Sequence, residues 1–387
     1  MTPVHVGVFT YYYLPIINGV ILTISDWQKE LRKFGISQTV FVPKRDYMKP
    51  LNATDVFEYP SISLYKKFGI TIPLFAEQLL PDELTKRKIN IIHAHHPYYI
   101  GSLAVRLAKK RNIPVVFTYH TMHSEYVKTY LPFIPGRWIE KYVERSITKL
   151  MNTCSCVTVS LPNLKTELIQ KGVTVPIHVV PIGIDTERFS KGGRIRVRKE
   201  LEIKDNETLL LSVGRIAKEK NVDFLLSMFS YLSKKNDNLR LCFIGDGPRE
   251  NFLRQIAQEK HLEEKVKIMA PKSYDIIQDY YHAADVFVYA SQTETFGRVY
   301  VEAMASGLPV VALATPSLAD VIEDGVSGVL VHTKTPASFA REVEKLIDNK
   351  DMRLRFGDAA RLRASEVFSL SSSGKTLASL YRSLVES

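Results

Sequence analysis

Several things are scarce in this 387-residue chain, and each scarcity narrows its class. No apolar run approaches the roughly 18 residues of a membrane-spanning helix, so no bilayer crossing is expected. The opening "MTPVHVGVFTYYYLPIINGV" has no basic leader and no small-residue cleavage site; it reads as a first strand and loop rather than a signal peptide. There are three cysteines, Cys154, Cys156 and Cys242, an odd number without metal-ligand spacing. That argues against a disulfide framework or a zinc module, and buried free thiols in a reducing cytoplasm are expected. No Asp-x-Asp cluster offers carboxylates to a divalent metal. Zinc-finger spacing, ribonucleoprotein motifs and basic-zipper heptads are absent, so nucleic acid is not the expected partner.

What remains is an ordinary globular composition, 45% hydrophobic and 24% charged, in a chain long enough for two cores. The net charge of +11 is unevenly placed. Residues 1–187 carry 22 Lys and Arg against 14 Asp and Glu, a balance of +8; the remainder carries 30 against 27, a balance of +3. A basic front half without nucleic-acid modules suits an anionic membrane surface.

Short β-branched runs alternate with longer helical patterns nearly throughout. "VHVGVFT", "SQTVFVP", "INIIHAH", "IPVVFTYH", "SCVTVS" and "PIHVVPIG" read as strands of the first half. "TLLLSVGRI", "LRLCFIGDG", "VKIMAP", "VFVYAS", "PVVAL" and "SGVLVH" read as strands of the second. Near-continuous apolar strands between amphipathic helices predict parallel sheets covered on both faces. The expected class is α/β, with two doubly wound domains that bind ligands beyond their strands' C-terminal ends. The polar, turn-rich stretch from Pro181 predicts a boundary near residue 187: a first domain over 1–187 and a second over 188–365. A C-terminal segment over 366–387 would return to the first domain.

The second half holds the stronger chemical signals. "SQTETFGRVYVEAMASGLPVV" sets Glu294 ahead of a helix start at Phe296 and Gly297, and Glu302 within the helix. Unpaired amides at such a start attract a phosphate, and Gly297 lets a ligand approach the backbone. Glu302 can accept from vicinal hydroxyls such as a ribose offers, and Glu294 from a sugar hydroxyl. Spacing alone supports equally a carboxylate favouring the helix dipole plus an unrelated surface glutamate. A second strand-to-helix turn, "GRIAKEKN", supplies Arg215 and Lys220, a fork of donors and a point charge suited to a diphosphate. A third, "GDGPRE", offers Asp246 as a helix cap and reads as turn chemistry.

In their order and spacing, "GRIAKEKN", "GDGPRE" and "ETFGRVYVEAMASGLPVVA" resemble the retaining nucleotide-sugar glycosyltransferases of family 4. The likeness extends through "PIGIDTERF" and "TYHT" to "YLPIINGV", nearly the whole chain. It implies the GT-B architecture, two Rossmann-like domains facing a cleft, the second holding a nucleotide sugar and the first an acceptor. Carried over by position, Arg215 and Lys220 would hold the donor's diphosphate and Glu302 its ribose. Glu294 would meet the transferring sugar, and the amides of Phe296 and Gly297 the sugar and distal phosphate. Gly19 would approach the donor, and His120 would contact the sugar near its C6 hydroxyl. The resemblance further implies retention of anomeric configuration; no cofactor and no metal are expected.

For the acceptor, "TYHTM…EY…YLP" resembles diacylglycerol glucosyltransferases. A helix over 137–149 would align Arg137, Lys141, Arg145 and Lys149 on one stripe, with Trp138 and Tyr142 alongside. Such a helix reads as a membrane-surface element or as the solvent face of a core-packed helix. Basic patches at 66, 86 and 109 would extend the surface. His93, His95 and His96 read as cleft lining or satisfied core positions rather than metal ligands. The expected activity is glucose transfer from UDP-glucose to 1,2-diacylglycerol by a cytoplasmic enzyme peripheral on the inner membrane face. Phosphatidylinositol with GDP-mannose, a soluble sugar acceptor, or a nucleotide-sugar epimerase are the alternatives, and a non-catalytic sugar-binding protein fits poorly.

Overall fold

The apolar strand runs and amphipathic helices assemble into two parallel-sheet units. A computed structural model describes residues 3–45, 53–65, 70–120 and 136–386, with the backbone alone at 63–65, 70 and 136–140. One unit comprises Met1–Gly183 with Leu370–Ser387, the other Ile184–Ser369.

In the first unit seven parallel strands are ordered β3-β2-β1-β6-β7-β8-β9. They are β1 (His5–Phe9), β2 (Ser37–Pro43), β3 (Val56–Tyr59), β6 (Ile91–Ala94), β7 (Val115–Tyr119), β8 (Cys156–Val159) and β9 (Ile177–Val179). A separate antiparallel ribbon pairs β4 (Ser61–Tyr65) with β5 (Ile70–Pro73). The interior strands β6, β7 and β8 are buried along their whole length, as sheet covered on both faces requires. The helix Gly19–Lys33 places Ile24, Trp27 and Leu31 in a core that also contains Val6, Val40, Val116, Leu377 and Tyr381. The last two belong to the C-terminal helix Leu370–Glu386. Trp27 Nε1 donates to Ser373 Oγ at 2.8 Å, so the C-terminal helix is fixed by a buried hydrogen bond as well as by packing.

Six parallel strands form the second unit's sheet, in the order β12-β11-β10-β13-β14-β15. They are β10 (Thr208–Val213), β11 (Leu239–Ile244), β12 (Val266–Met269), β13 (Val286–Tyr289), β14 (Val310–Leu313) and β15 (Gly328–Val331). Leu225 and Phe229 from the helix Val222–Ser233, with Phe339 and Val343 from the helix Pro336–Asp348, cover Leu210, Leu241 and Val288. The chain runs outward from β10 to β12 and then restarts on the other side of β10 at β13. The turns after β10 and β13 therefore flank a topological switch point, where doubly wound sheets open a crevice.

The twelve strands expected from the sequence are all present. Those not anticipated are β3, β4 and β5, which are short and lack a continuous apolar run. Cys154, Cys156 and Cys242 are buried free thiols whose pKa burial pushes up to about 12, so they stay protonated at neutral pH. No described helix is long and apolar enough to cross a membrane.

Candidate functional site in the second unit

Two turns meet at the switch point. After β10 the chain passes through Gly214, Arg215 and Ile216 into a short 3-10 turn, Lys218–Lys220. After β13 it passes through Ser291 to Gly297 before the helix Arg298–Ala305. Ser291 Oγ donates to the Glu219 carbonyl at 3.3 Å, tying one turn to the other. Lys220 Nζ lies 2.5 Å from Glu294 Oε1, with both side chains largely withdrawn from solvent (14% and 17% exposed). The spacing argument placed a cation and a carboxylate on separate turns; the fold brings them into contact. Arg215 is more open, its side chain 54% exposed and its guanidinium 3.8 Å from Glu219.

The "GDG" turn after β11 supports this arrangement from behind. Gly245 and Gly247 have φ of +154° and +152°, and a Cβ on either would strike the Gly214 or Ile216 carbonyl. Ile216 N donates to the Asp246 carbonyl at 2.6 Å, so the turn carrying Arg215 is braced backbone to backbone. Asp246 caps no helix: the next one, Glu250–Glu259, begins after Arg249 and has no side-chain cap. The Asp246 carboxylate is displaced from that role because the glycines spend the turn in extended positive-φ geometry.

Gly297 is the residue before the helix, in left-handed conformation with φ of +75°. Phe296 is buried against Phe368 at 5.5 Å between ring centroids, which anchors the loop. Behind the loop, Thr293 Oγ1 and Tyr300 Oη are buried without a hydrogen-bond partner among the described residues. Burial, and then the nearby Glu294 charge, holds the Tyr300 phenol well above its usual range. Glu302 is buried too; its Oε2 accepts from Tyr281 Oη at 2.9 Å and its Oε1 lies 3.7 Å from Arg298 Nε. The Glu302 carboxylate, read from the sequence as an acceptor for vicinal hydroxyls, thus has one hydrogen bond from Tyr281 and a longer ionic contact with Arg298 around it.

Gly19 and His120 belong to the first unit. Gly19 opens the helix capped by Asn18, whose side chain accepts from Ile21 N at 3.0 Å. His120 Nε2 lies 2.8 Å from His95 Nδ1. Beside this pair, His93 is bonded at 2.5 Å to both Tyr381 Oη and Thr118 Oγ1. Burial lowers the His93 pKa to about 3 and holds His95 well below the ordinary value, so these rings are satisfied neutral core groups. Among the described residues, no three His, Cys, Asp or Glu side chains gather as metal ligands.

The helix expected over 137–149 spans Gly136–Met151. Arg137 and Trp138 lie in its first turn, and their side chains are outside the described residues, as is the basic patch at 66. Lys141, Arg145 and Lys149 are exposed on one stripe, Tyr142 is 75% exposed beside them, and Ile147 and Met151 are buried on the opposite side. The stripe borders a concavity of about 620 Å³ that also takes in Lys171. Lys171 pairs with Glu144 at 3.1 Å and Glu167 at 2.7 Å.

Sequence reasoning missed Arg298, Tyr281 and Tyr274. Arg298 stands inside the motif first singled out, and an arginine at a buried helical position was the available signal. Tyr274 and Tyr281 lie outside every motif and had none.

Residues 17–188 match the model of Glycosyltransferase Family 4, and residues 193–363 that of glycosyl transferases group 1. The chain is 30% identical over 362 residues to the alpha-monoglucosyldiacylglycerol synthase of Streptococcus pneumoniae, spanning 90% of this chain and 79% of that protein. The synthase of the same name from Acholeplasma laidlawii is 28% identical, with 84% of each chain covered. The sulfoquinovosyl transferase of Arabidopsis thaliana is 29% identical, spanning 89% of this chain and 67% of that protein. A sucrose-phosphate synthase from Thermosynechococcus elongatus superposes with a TM-score of 0.84 at 20% identity, covering 98% and 99% of the two chains. Anabaena HepE, solved with UDP-glucose, superposes at 0.79 and 19% identity, with 98% and 99% covered. The paired parallel-sheet units are thus those of GT-B enzymes, and this chain belongs to glycosyltransferase family 4.

Proposed function

We propose that this glycosyltransferase moves glucose from UDP-glucose to 1,2-diacylglycerol at an anionic membrane surface, with retention and without a metal. The observation that carries the donor half is the Lys220–Glu294 contact at the second unit's switch point. A cation and a carboxylate side by side suit a diphosphate and a sugar hydroxyl. Breaking the bond at the anomeric carbon develops positive charge there and negative charge on the leaving diphosphate. Arg215, Lys220 and the amides near Gly297 stabilise that leaving group electrostatically. The Glu302 carboxylate holds the ribose, Gly19 serves the donor, and His120 serves the transferred sugar near its C6 hydroxyl. Glu294 orients the sugar's hydroxyls; attack comes from the leaving-group face, and the departing phosphate oxygen takes the acceptor's proton. A covalent sugar trapped on Glu294 contradicts that assignment.

For the acceptor, support comes from the two glucosyldiacylglycerol synthases and from the exposed stripe of Lys141, Arg145 and Lys149 beside Tyr142. A basic face flanked by an exposed aromatic suits anionic lipid headgroups and supports a peripheral site of action on the cytoplasmic leaflet. The sulfoquinovosyl transferase, at nearly equal identity, favours a second reading in which the lipid acceptor stays and the sugar differs. The test is a panel of radiolabelled sugar nucleotides offered with vesicles of phosphatidylglycerol and diacylglycerol. Label from UDP-glucose should enter the organic phase only when diacylglycerol is present. Label confined to water-soluble products overturns the lipid acceptor, and preference for another sugar nucleotide overturns the donor.

A further inference from the structure

Arg298 is the first residue of the helix that carries Glu302, and its side chain is only 6% exposed. A buried guanidinium costs several kcal/mol in lost hydration unless its surroundings compensate it, so what surrounds this one is informative. Its Nε faces Glu302 Oε1 at 3.7 Å, one helical turn on. Its Nη2 donates to Tyr274 Oη at 2.9 Å, and its plane lies 5.9 Å from the Tyr274 ring centre. Tyr274 belongs to the turn that follows β12, at the C-terminal edge of the sheet. A second arginine, Arg188, lies 4.5 Å from the same ring and donates to the Tyr274 carbonyl. On the other side of the carboxylate, Tyr281 donates to Glu302 Oε2 at 2.9 Å.

We propose that Arg298 is a positioning residue for the donor's nucleoside, fixing the Glu302 carboxylate and the Tyr274 turn in one rigid arrangement that recognises ribose hydroxyls. The inference rests on the reading that Glu302 binds the ribose. A carboxylate hydrogen-bonded to a phenol on one side and facing a buried guanidinium across 3.7 Å on the other is restricted in its rotation. The carboxylate is therefore oriented before a ligand arrives. The two contacts come from different directions along the chain, Tyr281 from the helix Ile277–Ala283 and Arg298 from Glu302's own helix. Loss of Arg298 would remove the ionic contact to Glu302 and the hydrogen bond to the Tyr274 hydroxyl. The effect should fall on ribose recognition rather than on the transfer step, because the Arg298 contacts run to Glu302 and Tyr274.

The experiment measures binding of UDP, 2′-deoxy-UDP and 3′-deoxy-UDP to the native protein and to Arg298→Gln, Arg298→Lys and Tyr274→Phe, by calorimetry, with GDP and its deoxy forms in parallel. The native protein should prefer the ribose form of its nucleotide by about 10- to 100-fold, the range of a hydrogen bond to a charged group. Arg298→Gln should weaken the parent nucleotide about tenfold and shrink that preference below about threefold. Arg298→Lys should restore most of it, and Tyr274→Phe should reduce it by about threefold. Thermal melting of each variant separates this from unfolding; if Arg298→Gln does not fold, the lysine and phenylalanine variants carry the test. Native-like discrimination in Arg298→Gln, or an equal loss for ribose and deoxyribose forms, overturns the inference while leaving the ribose reading intact. No discrimination by the native protein, or by native and Glu302→Gln alike, overturns the ribose reading itself.

Discussion

Gly297 sits at φ +75°, and an ideal Cβ there would lie 2.5 Å from the Tyr300 ring. Both facts act against any substitution: the backbone region disfavours L side chains, and the ring behind is itself fully buried. Gly297→Ala should therefore destabilise the second unit by about 1–3 kcal/mol, read as a lowered urea midpoint. An unchanged midpoint would mean that the loop relaxes away from Tyr300 at no cost. The residues that touch in this site were partly legible beforehand. Lys220 and Glu294 carried sequence signals because each stands at a strand's C-terminal end, where a doubly wound sheet places ligand groups. Glu302 was legible as a candidate, but its surroundings were not. Tyr281 reaches it, and Tyr274 reaches the neighbouring Arg298, from segments whose nearness depends on how β12 and β13 are ordered in the sheet, and no local pattern encodes that order.

At the level of elements, the closely spaced histidines at the end of β6 include a core group: His93 sits between two hydroxyls and stacks on Trp27, with centroids 6.2 Å apart. Burial keeps it neutral in the folded chain, with a pKa of about 3, whereas the unfolded chain protonates it near 6.5. The unfolded state then binds more protons below that value, so this contribution to stability is present above about pH 6.5 and is lost as the pH falls toward 3. His95, lowered in the same direction, adds to the slope. Urea midpoints should fall between pH 7.5 and pH 5, and His93→Gln, which cannot titrate, should show a smaller fall. Equal falls in the two proteins would show that His93 is not the titrating group. Strand elements were the most legible part of the sequence because fully buried parallel strands need unbroken apolar runs. The short edge strand β3 and the ribbon β4–β5 escaped notice because strands with less buried surface need no such run.

Across the whole molecule, the chain's end matters as much as its motifs. Leu377 and Tyr381 lie in the same core as Val6, Trp27 and Val116, so the C-terminal helix completes the first unit's hydrophobic interior. Leu377→Ala should cost about 2–5 kcal/mol. In calorimetry this should lower the melting of the first unit while leaving that of Ile184–Ser369 in place. A shift of both transitions, or of neither, would contradict that division of the chain. The basic bias of the front half makes a prediction at the same scale. Reversing Lys141, Arg145 and Lys149 to glutamate should weaken sedimentation with phosphatidylglycerol vesicles by at least tenfold, on the basis of about 1 kcal/mol for each basic residue near an anionic surface. Binding to neutral phosphatidylcholine vesicles should change little. Undiminished binding to the anionic vesicles would assign this stripe to solvent.

All of the proposed chemistry depends on the second unit gripping a diphosphate through Lys220 and its neighbours. The most direct measurement is calorimetric titration of UDP and UMP into the native protein and into Lys220→Ala. The account predicts that native protein binds UDP at least about tenfold more tightly than UMP, and that most of this gap disappears without the Lys220 charge. An equal gap in both proteins, or none in the native one, would contradict it.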